Sequence, residues 1–322
     1  MKSLNKITRL FDEAERSRQA VSPNAKGIRC PICWNEFSRE MIFDKLLSID
    51  DVPQQSWGAL WEVITCKTCN NEFGSDFQGR ISGLKDIENL KAGASKKRHK
   101  AKIVTNIGEF NAAVFTDENR KLWMKGSKKI NNPEVSKFWQ ELGTQKNVVI
   151  SSVKILLKQP YELEFLPLVL LRDSYLLAFH FLGYPYLCRA DLQDIRTILH
   201  ERKPVPEGAM LTLPFDSFTE DRSNGKFCWV QAPEKLAGFL VRWIVPELGV
   251  RFIVLPFFPH PWNTFQELCN AWAQASKDQE KIELIIAPVE FVPSARFSFR
   301  LNTSEKVSGV VLLSGELTEE SN

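Results

Sequence analysis

The sequence predicts an α+β protein: a small N-terminal module braced by four cysteines, followed by a larger α+β body. Three observations predict it. Two C-x-x-C pairs, Cys30/Cys33 and Cys66/Cys69, stand with 32 residues between them. Apolar residues at helical spacing open the chain, and runs of helical length recur near residues 161–183 and 262–275. Beyond residue 205 the pattern changes to short runs rich in β-branched and aromatic residues. With 322 residues the chain can form two domains, or one module on a larger body. An apolar content of 43% with 25% charged residues excludes disordered and fibrous classes. A net charge of +3 names no partner, so charge matters only where it clusters.

Three stretches follow: residues 1–90, 91–155 and 156–322. Leu4, Ile7, Phe11 and Ala14 recur at helical spacing, which predicts a short amphipathic docking helix. This segment has no apolar signal region. The odd count of seven cysteines then points to a reducing cytoplasm. In the middle stretch, 102–107 and 109–115 flank Gly108 and predict a hairpin, with 121–124 as a third strand. Asn132-Pro133 opens a helix ended by Gly143, and 147–157 reads as another strand.

The body begins with a helix from Tyr161 to about Gly183. It is apolar enough to suggest a membrane span, but Glu164, Pro167, Arg172, Asp173 and His180 are costly in hydrocarbon. A buried core helix is the reading, with no membrane partner. Asp191–Leu199 is a second helix, and Trp262–Ala275 interrupts strands at 227–231, 238–244, 251–257, 282–287, 296–301 and 309–313. A Gly-rich phosphate loop and a G-x-S-x-G elbow are both absent.

The cysteine spacing has a physical reason. Zinc takes four ligands at tetrahedral angles, and a two-residue spacer lets one tight turn aim two sulfurs at one ion. Cys30, Cys33, Cys66 and Cys69 therefore read as a closed structural Zn²⁺ site. The alternatives are disulfides or a redox C-x-x-C, the latter weakened by the second pair and the lack of a βαβ pattern. Cys188, Cys228 and Cys269 lie singly in apolar sequence and read as buried hydrophobes.

Between the pairs the order is Ser48-Ile-Asp-Asp-Val-Pro53, a strand-like Trp61-Glu-Val-Ile-Thr65, then Cys66-Lys-Thr-Cys69-Asn-Asn-Glu-Phe-Gly74. Over roughly residues 28–80 this resembles the zinc-braced branch of the bacterial HNH endonuclease family. The resemblance implies a ββα (HNH/treble-clef-like) module gripping a divalent ion at a scissile phosphate. By position it assigns Asp50 as the acidic ligand and Asn70 or Asn71 as the last motif residue. Asp51 stands where the general-base histidine is expected, and Trp61 where a middle asparagine is expected. Aspartate, with an ordinary pKa of about 4, is a weak base at neutrality. Asp50 and Asp51 together suit a hard cation, Mg²⁺ or Mn²⁺, whose bound water is already acidified. The plain alternative is a solvated turn before Pro53, with Asn70 and Asn71 as capping residues.

Lys91, Lys96, Lys97, Arg98, Lys100 and Lys102 lie within twelve residues that contain no acid. Such a tract is a solvated linker or a phosphate contact, and beside a nuclease-like module the second is preferred. His99, inside it, is the histidine nearest the cysteines: a surrogate base, or simply exposed. His180, His200 and His260 are distant in sequence, and the nine tryptophans read as core. The expectation is a cytoplasmic HNH-endonuclease-like protein that binds nucleic acid and hydrolyses phosphodiesters with a divalent metal. The alternative is a catalytically inactive zinc-module adaptor or regulator. In either case the C-terminal body would choose a target or a protein partner.

Overall fold

In the computed structural model, which describes residues 2–94, 97–105, 108–117, 119–126, 153–157, 162–212, 224–257, 262–277, 281–291, 299–301 and 307–312, the N-terminal periodicity becomes helix α1, Lys2–Val21. Its buried face is Leu10, Phe11, Ala14 and Ser17. Leu4 is 40% exposed, so docking begins more than a turn later than the sequence stripe suggests. Contacts divide the chain into two units, Met1–Gly79 with Glu164–Asn322, and Arg80–Leu163. This differs from boundaries at 90 and 155. The cysteine segment does not stand as a separate domain but packs with the C-terminal body.

In the first unit, α1 leads into the two-residue strands β1 (Ile28–Arg29) and β2 (Glu36–Phe37), which pair antiparallel. Strand β3 (Leu47–Val52) pairs antiparallel with β4 (Trp61–Cys66), in a register running from Leu47↔Cys66 to Val52↔Trp61. Helix α2 (Lys67–Phe73) starts directly at the end of β4, with Cys66 as its N-cap.

The long apolar helix forms as expected but runs Leu166–Leu187 (α4). It is apolar all round, the pattern of a helix covered on every side. Its most apolar window is 78% buried inside the fold, which makes it core. Gly183 leaves helical angles (φ 63°), so Pro185 opens a new turn instead of breaking the old one. Helix α1 and strand β4 pack against α4. Helix α5, Gln193–Glu201, follows after a left-over turn of 3₁₀ helix at Ala190–Leu192.

The rest of this unit is an antiparallel sheet of β9 (Met210–Leu211), β10 (Lys226–Ala232), β11 (Gly238–Val245), β12 (Gly249–Leu255), β13 (Lys281–Phe291), β14 (Phe299–Leu301) and β15 (Val307–Leu312). The order is β14-β13-β10-β11-β12-β9, with β15 also on β13. Helix α6 (Phe265–Lys277) covers one face, where Leu268 and Trp272 meet Cys228, Val230, Leu240, Phe252 and Val254. Alternation sends Trp243 to the other face, where its indole N–H donates to Ser174 Oγ on α4 at 2.7 Å. Tyr186, also on α4, donates to the Pro256 carbonyl at 2.9 Å.

The inserted unit holds helix α3 (Gly83–Lys91) and four strands: β5 (His99–Thr105), β6 (Gly108–Thr116), β7 (Leu122–Gly126) and β8 (Val153–Leu157). They pair antiparallel in the order β7-β6-β5-β8. One face packs Ala101, Ile103, Phe110, Ala112 and Val114 against Leu90 of α3, which is why that helix belongs with this sheet. The helix expected at 132–142 lies outside the described residues.

Candidate metal centre

Cys30 and Cys33 sit in the turn joining β1 to β2, while Cys66 ends β4 and Cys69 lies in the first turn of α2. The four Sγ atoms lie within 4.8 Å of one another, close enough to hold one metal ion. Cys33 Sγ and Cys66 Sγ are 3.8 Å apart. A tetrahedron with metal–sulfur bonds of about 2.3 Å has sulfur–sulfur edges of about 3.8 Å, so that pair is already at ligand spacing. Backbone amides support the sulfurs: Cys66 N–H donates to Cys30 Sγ at 3.5 Å, and Cys69 N–H to Cys66 Sγ at 3.4 Å. Such donors favour thiolates and orient them. Burial pushes the Cys30 thiol up by disfavouring its charged form, and the neighbouring Cys33 and Cys66 sulfurs push it the same way.

The knuckle is also gripped from outside. Tyr175 on α4 donates to the Pro31 carbonyl at 3.0 Å, and Arg29 N–H donates to Tyr184 Oη at 2.8 Å. The Arg196 guanidinium of α5 lies 4.4 Å from the Trp34 ring centroid. Among the described residues no second group of three or more metal-ligating side chains converges in this way. Cys228 and Cys269 are buried as expected, and burial pushes the Cys228 thiol up to about 12. Cys188 is exposed, because it falls just past the end of α4.

The two aspartates are not brought together. Neighbours on an extended strand point to opposite faces, and β3 obeys this rule. Asp50 is 2% exposed and ion-paired with Arg172, itself fully buried on α4. Thr65 Oγ1 donates to Asp50 Oδ2 at 3.4 Å, and Phe73 presents its ring 4.4 Å from the guanidinium carbon. Burial raises the Asp50 carboxyl, while Arg172 pulls the other way. Asp51 faces a groove of about 320 Å³ with Arg9, Glu13, Trp61, Glu62 and His180. Burial, then the Glu62 carboxylate, raises Asp51, and Lys6 opposes them. The His180 Nδ1 atom lies 3.2 Å from the Glu62 carbonyl oxygen.

Asn70 is a tether. Its Nδ2 donates to Ser48 Oγ at 3.1 Å and to the Ile49 carbonyl at 3.0 Å, tying α2 to β3. Asn71 is exposed. Trp61 is half-buried, packed edge-on to Phe181 at 6.0 Å between centroids. Gly225 backs it at φ +69°, and a Cβ there would fall 2.4 Å from the indole. Gly225→Ala is therefore expected to cost about 1–3 kcal/mol. Urea denaturation tests this, and an unchanged midpoint would show that Trp61 moves aside freely.

Sequence reading missed the importance of Arg172 and Asp173, although the signal was present: two adjacent charges in an otherwise apolar helix must find partners once buried. Asp173 is fully buried, its Oδ1 3.7 Å from Arg172, and burial raises its carboxyl to about 8 despite that neighbour. Because this folded value exceeds the unfolded one, the stabilising protonated form is lost as pH rises towards 8. Wild type is expected to lose about 2 kcal/mol between about pH 6.5 and 8.5 through this residue. Asp173→Asn should flatten that slope with the metal retained at both values. Equal slopes in the two proteins would refute the assignment.

In the inserted unit, His99 is buried on β5 opposite Val114, so it is a sheet-core residue rather than an exposed one. Lys91, Lys97, Arg98 and Lys100 are exposed. Lys97 pairs with Asp86 and Lys102 with Glu109. His200 is exposed, while Lys96 and His260 lie outside the described residues. Searches against protein-family models, curated proteins and solved structures find no match to the chain.

Proposed function

We propose that the chain is a zinc-braced, HNH-like protein that binds nucleic acid and whose catalytic corner has become a structural joint. The zinc reading rests on the four converging sulfurs and their ligand spacing. The ββα reading rests on the order knuckle, β3, β4, α2, with the second cysteine pair at the start of the helix. A four-thiolate site suits a reducing cytoplasm.

The observation that carries the proposal is the buried ion pair between Asp50 and Arg172. The guanidinium is a permanent cation. It sits on the carboxylate that a divalent ion would need, and Asn70 spends its side-chain amide on β3. The packed Trp61 points the same way. The opposite face favours a second reading, a divergent metal-dependent hydrolase, because Asp51 shares its groove with Glu13, Glu62 and His180.

A cleavage assay on plasmid DNA and structured RNA with Mg²⁺, Mn²⁺ or EDTA separates the two readings. It needs zinc-loaded wild type beside Asp50→Ala and Asp51→Ala variants shown to retain zinc. The expected result is binding without cutting. Metal-dependent cutting that is lost in Asp51→Ala would establish the hydrolase instead.

A further inference from the structure

In sequence the basic tract is a run; in the fold its second half, Arg98, Lys100 and Lys102, becomes part of a stripe. Alternation along β5 buries His99, Ala101 and Ile103 and turns Lys100, Lys102 and Val104 outward. The register extends that outer face across the sheet. On β6 it places Ala113 beside Lys100, Asn111 beside Lys102 and Glu109 beside Val104. On β7 it sets Trp123 beside Phe115 and Lys125 beside Ala113. On β8 it adds Leu156 next to Lys102 and Lys154 next to Val104. Arg98 joins the face by laying its guanidinium 5.4 Å from the Phe115 centroid.

The face therefore carries Arg98, Lys100, Lys102, Lys125 and Lys154. Among the described residues, the acids at it are Glu109, paired with Lys102, and Asp117 in the turn after β6. Trp123 is 52% exposed, an unusual state for an indole. It is also held in place, its N–H donating to Asp117 Oδ2 at 2.8 Å. A fixed aromatic surface among cations matches a polymer that alternates flat bases with phosphates. Single strands have this character, whereas in a duplex the base faces are stacked out of reach.

Building on the nucleic-acid reading above, we infer that the outer face of the β7-β6-β5-β8 sheet binds single-stranded nucleic acid, with a base stacked on Trp123 and phosphates on Lys100, Lys102, Lys125 and Lys154. Stacking tolerates any base, and the lysines follow a sugar–phosphate chain of either kind, so DNA and RNA are both admitted. Successive outward lysines on β5 stand about 6.6–6.8 Å apart, a repeat that lets one strand engage both.

The test uses fluorescence anisotropy on the full chain with labelled oligothymidylate, oligouridylate and a duplex of equal length, about 20 nucleotides each. The expected order is single strands of either sugar ahead of duplex. Trp123→Ala should weaken single-strand binding about tenfold or more, and Trp123→Phe should restore most of it. Lys100→Gln/Lys125→Gln/Lys154→Gln should lower the salt slope by about 2, at about 0.7 per lost phosphate contact. All four positions are solvent-facing, and unchanged thermal melts will confirm that the variants fold.

Binding that these variants leave unchanged would overturn the inference while sparing the nucleic-acid reading. Tighter binding to duplex than to single strands would do the same. No binding to any probe would sink both. If sedimentation then showed self-association that Trp123→Ala abolishes, the face would belong to a second copy of the chain.

Discussion

Cys66→Ser is expected to release the metal and unfold the first unit, the largest effect of any single substitution in the chain. Cys66 has two parts to play, as one of the four sulfurs placed to hold an ion and as the N-cap of α2. Structural zinc contributes apparent binding free energies of about 10–16 kcal/mol in zinc-finger peptides. That equals or exceeds the whole stability of an ordinary domain, about 5–15 kcal/mol. The damage should spread beyond the knuckle, because Tyr175, Tyr184 and Arg196 reach it from α4 and α5. Zinc content by elemental analysis and thermal denaturation followed by circular dichroism check this. Wild type should bind one equivalent and lose its transition in chelator. A full equivalent in the variant, or a melt indifferent to chelator, would remove the site from the account.

Arg172→Met is expected to cost about 3–5 kcal/mol, because it strands the Asp50 carboxylate in the core without its cation. Removing both charges, in Asp50→Asn/Arg172→Met, should recover much of the loss, since a buried pair replaced by neutral groups is often tolerated. Methionine is the chosen replacement because it keeps apolar contact with Phe73, over which the guanidinium lies. A double-mutant cycle in urea, run with zinc present, isolates the coupling between the two residues. A single-variant loss below about 1 kcal/mol would mean that water reaches Asp50. In that case the corner would be open enough for a divalent ion, and the hydrolase reading would gain.

The legible and illegible parts of the site divide by range. The four converging sulfurs were legible because two-residue spacers are local geometry. Helices α1, α4, α5 and α6 and most of the large sheet were legible because periodicity is local too. Local rules also misplaced some features. Leu4 carries the right spacing for docking yet is exposed, because the buried face of α1 begins at Leu10. Asp50 and Asp51 look like one acidic pair on paper, but alternation along β3 separates them across the strand. His99 looks exposed among lysines, and the same rule buries it.

By itself, then, the sequence determined which four sulfurs converge and where α1, α4, α5, α6 and most of the large sheet lie, because spacing and composition act over a few residues. Only the tertiary structure decided what the acidic corner holds. Asp50 meets Arg172 across 122 positions of chain, and no local pattern encodes that distance. The tertiary structure likewise turned Arg98, Lys100 and Lys102 of the basic tract to one face of a sheet, adding Lys125, Lys154 and Trp123 from strands that only pairing makes neighbours. The physical reason is the same in both cases. Burial and strand register select partners by what packs opposite, a property of the folded whole rather than of any segment.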